Sequence, residues 1–298
     1  MKNKIEIFQI DAFTAQPFRG NSAGVTFGDE LTKDEMQSIA NEMNLAETAF
    51  LSKPALSADR LGKADYNLRW FSPQTEINLC GHATIASLHF LKEHNLLKNG
   101  GVSFDTLSGN LNCGFKNEKY FMQIPIFSME KFNGNKEEII DILGIESSAR
   151  LRRDESVPFI LLEDKNLYIY VTNLSALQTL RPNFNSLVKL TETKHEFEGV
   201  VVFTLETFEK ENFAHSRYFV PFHGINEDIV TGSTNGPLIL VLQELGFVKK
   251  SNEDITLTFE QGDFMERPGR VTVSYSARRN ELFISGNAVT VLKGELFF

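Results

Sequence analysis

What this chain lacks narrows its chemistry before any residue is singled out. Two cysteines, Cys80 and Cys113, are too few for a disulfide framework, so a reducing, cytoplasmic compartment is expected. There is no Gly-x-Gly-x-x-Gly behind a strand, no phosphate loop, no Cys-x-x-Cys and no His-Glu-x-x-His. The usual sequence signatures of nicotinamide, nucleotide and zinc chemistry are therefore missing, and His89 and His94 do not stand at metal-ligand spacing. Long apolar runs are absent as well. The most apolar stretch, Pro237 to Leu242, is far too short to cross a bilayer, and Glu6, Gln9 and Asp11 interrupt any signal core behind Lys2 and Lys4. Positive charge is in deficit: 30 Lys and Arg against 39 Asp and Glu give a net charge of −9. The basic residues are scattered rather than striped, which argues against a nucleic-acid partner.

What is present points to an ordinary globular chain. Hydrophobic residues make up 42% and charged residues 23% of 298 positions, so a sizeable core is available and disorder is not indicated. The length favours two domains or two lobes. Phe is abundant, 26 against a single Trp, as expected of a side chain that fills a core without needing a hydrogen-bond partner.

No Pro/Gly/Ser linker marks a boundary, so organisation is sought in self-similarity. Arg69-Trp70-Phe71-Ser72-Pro73 is echoed by Arg217-Tyr218-Phe219-Val220-Pro221, an offset of 148 from residue 69 to residue 217. A Gly-initiated apolar helix from Gly81 to Leu91 is echoed from Gly232 to Leu242, an offset of 151 from 81 to 232. A strand-rich tail follows each: Gly101 to Phe115, then Ile255 to Phe259 with Arg270 to Tyr275. Further short β-branched or aromatic runs read as strands: Ile5–Phe13, Ala49–Ser52, Phe121–Ile124, Phe159–Leu162, Leu167–Val171, Gly199–Leu205 and Glu281–Ser285. The second helix is apolar all round and must be enclosed. The expectation is an α+β fold of two pseudo-symmetric lobes, each a mostly antiparallel, barrel-like sheet around a central apolar helix. A more ordinary amphipathic helix is expected from about Lys33 to Met43, opened by Thr32 and Glu35 in capping-box spacing.

Chemistry is sought where the repeat places it. Cys80-Gly81-His82 and Thr231-Gly232-Ser233 each lead into a buried helix, where backbone N–H groups and the positive dipole end would seat a carboxylate. Either turn alone reads as well as plain structure, its glycine shaping the bend and Ser233 capping its helix; their matched positions favour a shared binding role. His82 could relay a proton or be a satisfied structural histidine. Asp228 either complements a helix amino end or takes part in catalysis, and Cys80 is a thiol at a helix start or a small core residue. In Leu45-Ala46-Glu47-Thr48-Ala49-Phe50-Leu51, alternation sets Glu47 on one face with Leu45, Ala49 and Leu51. A carboxylate there is either a charge at the start of a strand or one withdrawn from water for acid–base work. Asn21 is a turn residue or a contact to substrate.

These blocks, in this order, resemble the phenazine biosynthesis-like (PhzF-like) family, whose fold is shared with diaminopimelate epimerase and proline racemase. The resemblance covers nearly the whole chain. It rests on Asp11-Ala12-Phe13-Thr14 with Gly20-Asn21, on Asn44-Leu45-Ala46-Glu47-Thr48, on Phe71-Ser72-Pro73 leading to Cys80-Gly81-His82-Ala83-Thr84, and on Glu227-Asp228 leading to Thr231-Gly232-Ser233. It looks closest to the YddE-like bacterial members. The resemblance implies an isomerase without metal or cofactor, in which Glu47 shuttles a proton on a small cyclic or amino carboxylic acid with help from His82 and Asp228. Asn21, Cys80, Gly81, Gly232 and Ser233 would hold that substrate between the lobes. It also implies a homodimer, and a last strand, Ala288 to Leu296, that rejoins the first lobe. The domains would be 1–127 with 288–298, and 128–287.

Two alternatives stand beside this reading. One is an amino-acid or hydroxyacid racemase or epimerase using Cys80 with Asp228 or Glu47 as unlike bases; two matched thiols are disfavoured, because Asp228 rather than cysteine precedes the second helix. The other is a protein that binds a small acid without turning it over.

Overall fold

The computed structural model describes residues 4–54, 64–97, 100–146 and 159–298; Lys2 lies outside them. Contacts divide the chain into two compact units, Met1–Ile124 with Phe283–Phe298, and Pro125–Leu282.

In the first unit, β1 (Lys4–Ala12) pairs antiparallel with β2 (Asn21–Phe27). A crossover through α1 (Lys33–Met43) returns the chain to β3 (Glu47–Ser52), parallel to β2. Then β4 (Tyr66–Phe71) runs antiparallel to β3, and the short β5 (Glu76–Ile77) folds back on it. A second crossover, α2 (Gly81–Glu93), leads to β6 (Gly101–Thr106), parallel to β4, followed by the antiparallel β7 (Gly109–Lys116) and β8 (Lys119–Ile124). The last strand, β18 (Ala288–Phe297), closes on β1.

The second unit repeats this order. After β9 (Met129–Lys131) and α3 (Lys136–Leu143), β10 (Phe159–Leu162) pairs antiparallel with β11 (Asn166–Tyr170). The helices α4 (Leu174–Gln178) and α5 (Phe184–Lys194) carry the chain to β12 (Gly199–Thr204), parallel to β11. Next come β13 (Ala214–Val220), β14 (Ile225–Asp228), α6 (Gly232–Glu244) and β15 (Ile255–Gln261), with β15 parallel to β13. The antiparallel β16 (Gly269–Ser276) follows, and β17 (Glu281–Gly286) crosses the division. Antiparallel and parallel pairings fall in the same sequence in both units, so the fold is α+β, sheet-dominated and internally repeated.

The two Gly-initiated helices are buried as their composition requires. Ten residues of α2 from Gly81 to Leu91 are buried, as are Thr234 to Gln243 of α6. The hydroxyls of Thr84 and Ser87 donate to the carbonyls of Cys80 and Ala83, so these polar groups lie inside without an orphaned donor. Helix α1 has the reciprocal capping box between Thr32 and Glu35 and stops at Asn44, whose φ of 48° turns the chain into β3. Its Met36, Ile39 and Ala40 cover Phe50, Ile7 and Phe71.

Several expectations need amendment. Helices α3, α4 and α5 had not been read from the sequence. Thr231, not Ser233, is the N-cap of α6. Leu45 lies in the connection before β3, and both faces of that strand are buried, not one. Among the described residues no helix is long and apolar enough to cross a membrane.

Candidate active site

Three segments of the first unit bring Asn21, Glu47, Cys80 and His82 together. Asn21 opens β2 opposite Ala12. The turn before it depends on Gly20: at φ +60° any Cβ would lie 2.1 Å from the Ala12 carbonyl oxygen. The buried Asp11 carboxylate holds the same loop, accepting from the Ser22 hydroxyl and, at 2.8 Å, from the Phe18 N–H. Glu47 is the first residue of β3 and sits in register with Ala23 of β2. Cys80 is the extended N-cap of α2, its sulfur making no capping hydrogen bond, and Gly81 and His82 form the first turn.

The centre of the cluster is a carboxylate–imidazole pair. His82 Nε2 stands 3.0 Å from Glu47 Oε2, with both side chains nearly buried. On the other side of the ring, Nδ1 lies 3.3 Å from the Asn21 amide nitrogen and 3.5 Å from Cys80 Sγ. Burial works against a charged imidazole, but the Cys80 sulfur and the Glu47 carboxylate outweigh it and hold the His82 pKa well above the ordinary histidine value. Burial and then the Glu47 charge push the Cys80 thiol up to about 11. An amide offers either oxygen or N–H. By turning, Asn21 can accept from Nδ1–H or donate to a bare Nδ1, and His82 can change its charge without losing a partner.

Asp228, Gly232 and Ser233 lie in the other unit, at the start of α6. Asp228 accepts from the Ile229 N–H at 2.9 Å and from the Thr231 hydroxyl, and the Thr231 side chain, at the N-cap position, makes no capping hydrogen bond to α6. Gln261, which sequence reasoning missed, accepts from the Thr231 N–H at 3.0 Å and donates to the Asp228 carbonyl at 2.9 Å, fixing this turn.

Strand register shows how unlike the two copies are. Thr48 faces Phe71 as Val200 faces Phe219, so the position of Glu47 is occupied in the second unit by Gly199. A Cβ there would lie 2.6 Å from the Tyr218 ring and hydroxyl and 2.7 Å from Asn166 Oδ1. Where the first helix start offers Cys80 and His82, the second offers Thr231 and Ser233. What both copies share is structural: Arg69 grips Glu76 through two hydrogen bonds, and Arg217 grips Glu227 likewise.

Among the described residues two trios have the donors and spacing for a metal ion: Glu47, Cys80 and His82, and, in the second unit, His215, Glu260 and Asp263. The second trio was not anticipated; His215 and Glu260 on neighbouring strands were its only signal. Its groups are committed elsewhere. Glu260 accepts from the N–H groups of Phe208 and Glu209, from Asn212 and from His215 Nδ1, and Asp263 is paired with Arg270 at 3.0 Å. Four donors on one carboxylate make it a clasp for the loop after β12.

The family described as phenazine biosynthesis-like protein matches residues 10–294. An uncharacterized isomerase of Clostridium acetobutylicum is 34% identical over 99% of both chains. The solved structure of a PhzF-family phenazine biosynthesis protein from Bacillus anthracis is 27% identical, with a TM-score of 0.85 over 99% of this chain and 100% of that one. A hydroxyproline epimerase from Agrobacterium vitis has the same fold at 12% identity, with a TM-score of 0.60 over 100% of this chain and 94% of that one.

Proposed function

The chain belongs to the phenazine biosynthesis-like family of isomerases, and from that premise we propose that it moves a proton on a small carboxylic acid with Glu47 as the general acid and base. The observation that carries the reading is the buried Glu47–His82 pair at 3.0 Å beside the first turn of α2. Glu47 takes a proton from one substrate carbon and returns it to another. His82, donating through Nε2, steadies the carboxylate while it is an anion and gives way when it is an acid. The N–H groups of Gly81 and His82, at the positive end of a helix whose first turn no side chain caps, receive the substrate's carboxylate. Asn21 keeps the imidazole oriented in either charge state.

Asp228, Gly232 and Ser233 are proposed, from the repeat, as the second unit's contribution to substrate binding, with Asp228 assisting proton movement. The asymmetry between Glu47 and Gly199 supports one acid–base group over two matched bases. A homodimer is the assembly this reading expects, to be read by sedimentation.

The experiment compares Glu47→Gln, Cys80→Ser and Asp228→Asn on a panel of cyclic and aromatic amino acids, with turnover and solvent deuterium incorporation followed by NMR. Glu47→Gln keeps shape and polarity but cannot cycle a proton. Its kcat should fall by about 10²–10⁴-fold, the usual worth of a general acid–base group, with little change in KM. Wild-type turnover in Glu47→Gln together with its loss in Cys80→Ser would replace this reading with a thiol-based racemase. Binding without any proton exchange in the wild type would leave a non-catalytic binder.

A further inference from the structure

We propose that Glu47, Cys80 and His82 also form a binding site for a thiophilic divalent cation of the zinc class. Their ligand atoms all lie within 4.8 Å of one another, with 3.0 Å between Glu47 Oε2 and His82 Nε2 and 4.0 Å between Cys80 Sγ and His82 Nε2. A tetrahedral zinc ion, bonded at about 2.0–2.3 Å, spaces its oxygen, nitrogen and sulfur donors by roughly 3–4 Å. Small side-chain rotations therefore bring all three onto one ion.

Donor chemistry names the ion class. Sulfur with imidazole selects zinc-like cations over magnesium or calcium, which require oxygen cages. One thiolate and one carboxylate cancel the divalent charge, and that neutrality is what allows an ion into so buried a place. The fourth position is left to water. The protons balance as follows: Cys80 gives up its S–H proton, and His82 binds through Nε2 after releasing that nitrogen's proton while retaining Nδ1–H. Asn21, 3.3 Å from Nδ1, then turns its amide oxygen to accept that N–H, the outer-shell partner that a metal-bound histidine needs. The other trio is the built-in contrast, because Glu260 and Asp263 are already occupied.

An ion so held ties up the carboxylate that the proposed reaction uses, and the inhibition expected from it rests on that reading; binding does not. The test titrates the chelator-stripped full chain with Co2+ under anaerobic conditions. Thiolate-to-cobalt charge transfer in the near ultraviolet and strong visible bands of a tetrahedral ion should saturate at about one Co2+ per chain and vanish when Zn2+ is added. Cys80→Ser should abolish the charge-transfer band, and His82→Gln should weaken binding by more than the ~10- to 100-fold that an outer-shell partner is worth. Cys113→Ser and His215→Gln should leave both unchanged. In the unaltered protein, Zn2+ should slow alkylation of Cys80 relative to Cys113, a measure that needs no variant to fold. No band in the wild type, or a band that survives Cys80→Ser or disappears in Cys113→Ser, overturns the site. Turnover untouched by a saturating ion, with the spectrum as expected, would instead sink the assignment of Glu47.

Discussion

The repeated arginine clasp allows one experiment in which the same substitution, at matched positions of the same fold, should have unequal costs. Arg217 is only 9% exposed; it holds Glu227 at 2.8 Å through two nitrogens, donates to the Leu177 carbonyl at 2.9 Å and lies over the Phe219 ring. Arg217→Met removes that grip and leaves a largely buried carboxylate and the end of α4 without donors. Breaking a buried pair from one side costs about 3–5 kcal/mol, enough to lower the melting temperature by roughly 10 °C in a chain of this size. Arg69 makes the equivalent grip on Glu76, but its side chain is 31% exposed, and Lys33 stands 2.9 Å from the same carboxylate. In Arg69→Met the lysine remains to neutralise Glu76, so the cost should be about 1–2 kcal/mol. Urea unfolding followed by far-ultraviolet circular dichroism, with Trp70 fluorescence reporting on the first unit, gives the two values. Equal losses, or a larger loss at Arg69, would refute the argument that burial and a second cation set the difference. Arg69 chiefly, with Lys33 helping against the opposing effect of burial, holds the Glu76 carboxyl below the usual range. Its stabilisation is therefore complete above the ordinary glutamate pKa and is lost as pH falls through the lowered one.

Glu260 should behave in the same direction and more strongly: burial opposes its charge, but His215, Asn212 and the Phe208 and Glu209 N–H groups bring its pKa down to about 2. The stability gap between wild type and Glu260→Gln should be on the order of 3 kcal/mol near neutrality and should close as pH falls from the ordinary glutamate value toward the lowered one, as read by thermal melts at a series of pH values; a gap independent of pH would contradict it. Gly20→Ala should destabilise by at least about 1–3 kcal/mol, because it combines a left-handed φ with a backbone clash. It should also reduce turnover by displacing Asn21, and unchanged melting would show that the turn is not strained in this way.

Much of the fold was legible because the repeat carries two independent signals. Arg-aromatic-Phe and the Gly-initiated apolar helix recur at nearly constant offset, and only an enclosed helix tolerates the run from Pro237 to Leu242. Helices α3 and α5 were not seen, although Asn135 and Asn183 cap them and Leu187 and Leu190 supply an apolar stripe. The 8 residues of α3 span barely two turns, and the β-branched Val188, Thr191 and Thr193 blur the period of α5. Alternation directed attention to Glu47 for a reason that was only half right. Both faces of β3 are buried, with Phe50 packed under α1, so the strand has no polar side against which to judge a misplaced charge. The approach of Glu47 to His82 was beyond spacing altogether: 35 positions separate residues 47 and 82, and the antiparallel β4 and the short β5 lie between them. The Arg217–Glu227 and Glu260 networks were missed for the same reason. Their members are ordinary surface residue types until tertiary structure surrounds them.

The filling around Gly199 bears on how such a repeat ages. Because a tyrosine and an asparagine occupy the space a side chain would need, a glutamate placed there by one substitution would collide with Tyr218 and Asn166. Seating a carboxylate there would require Tyr218 and Asn166 to change together with Gly199. Packing of this kind acts as a ratchet. A designer wishing to give both copies the same residues would have to empty the second copy before equipping it.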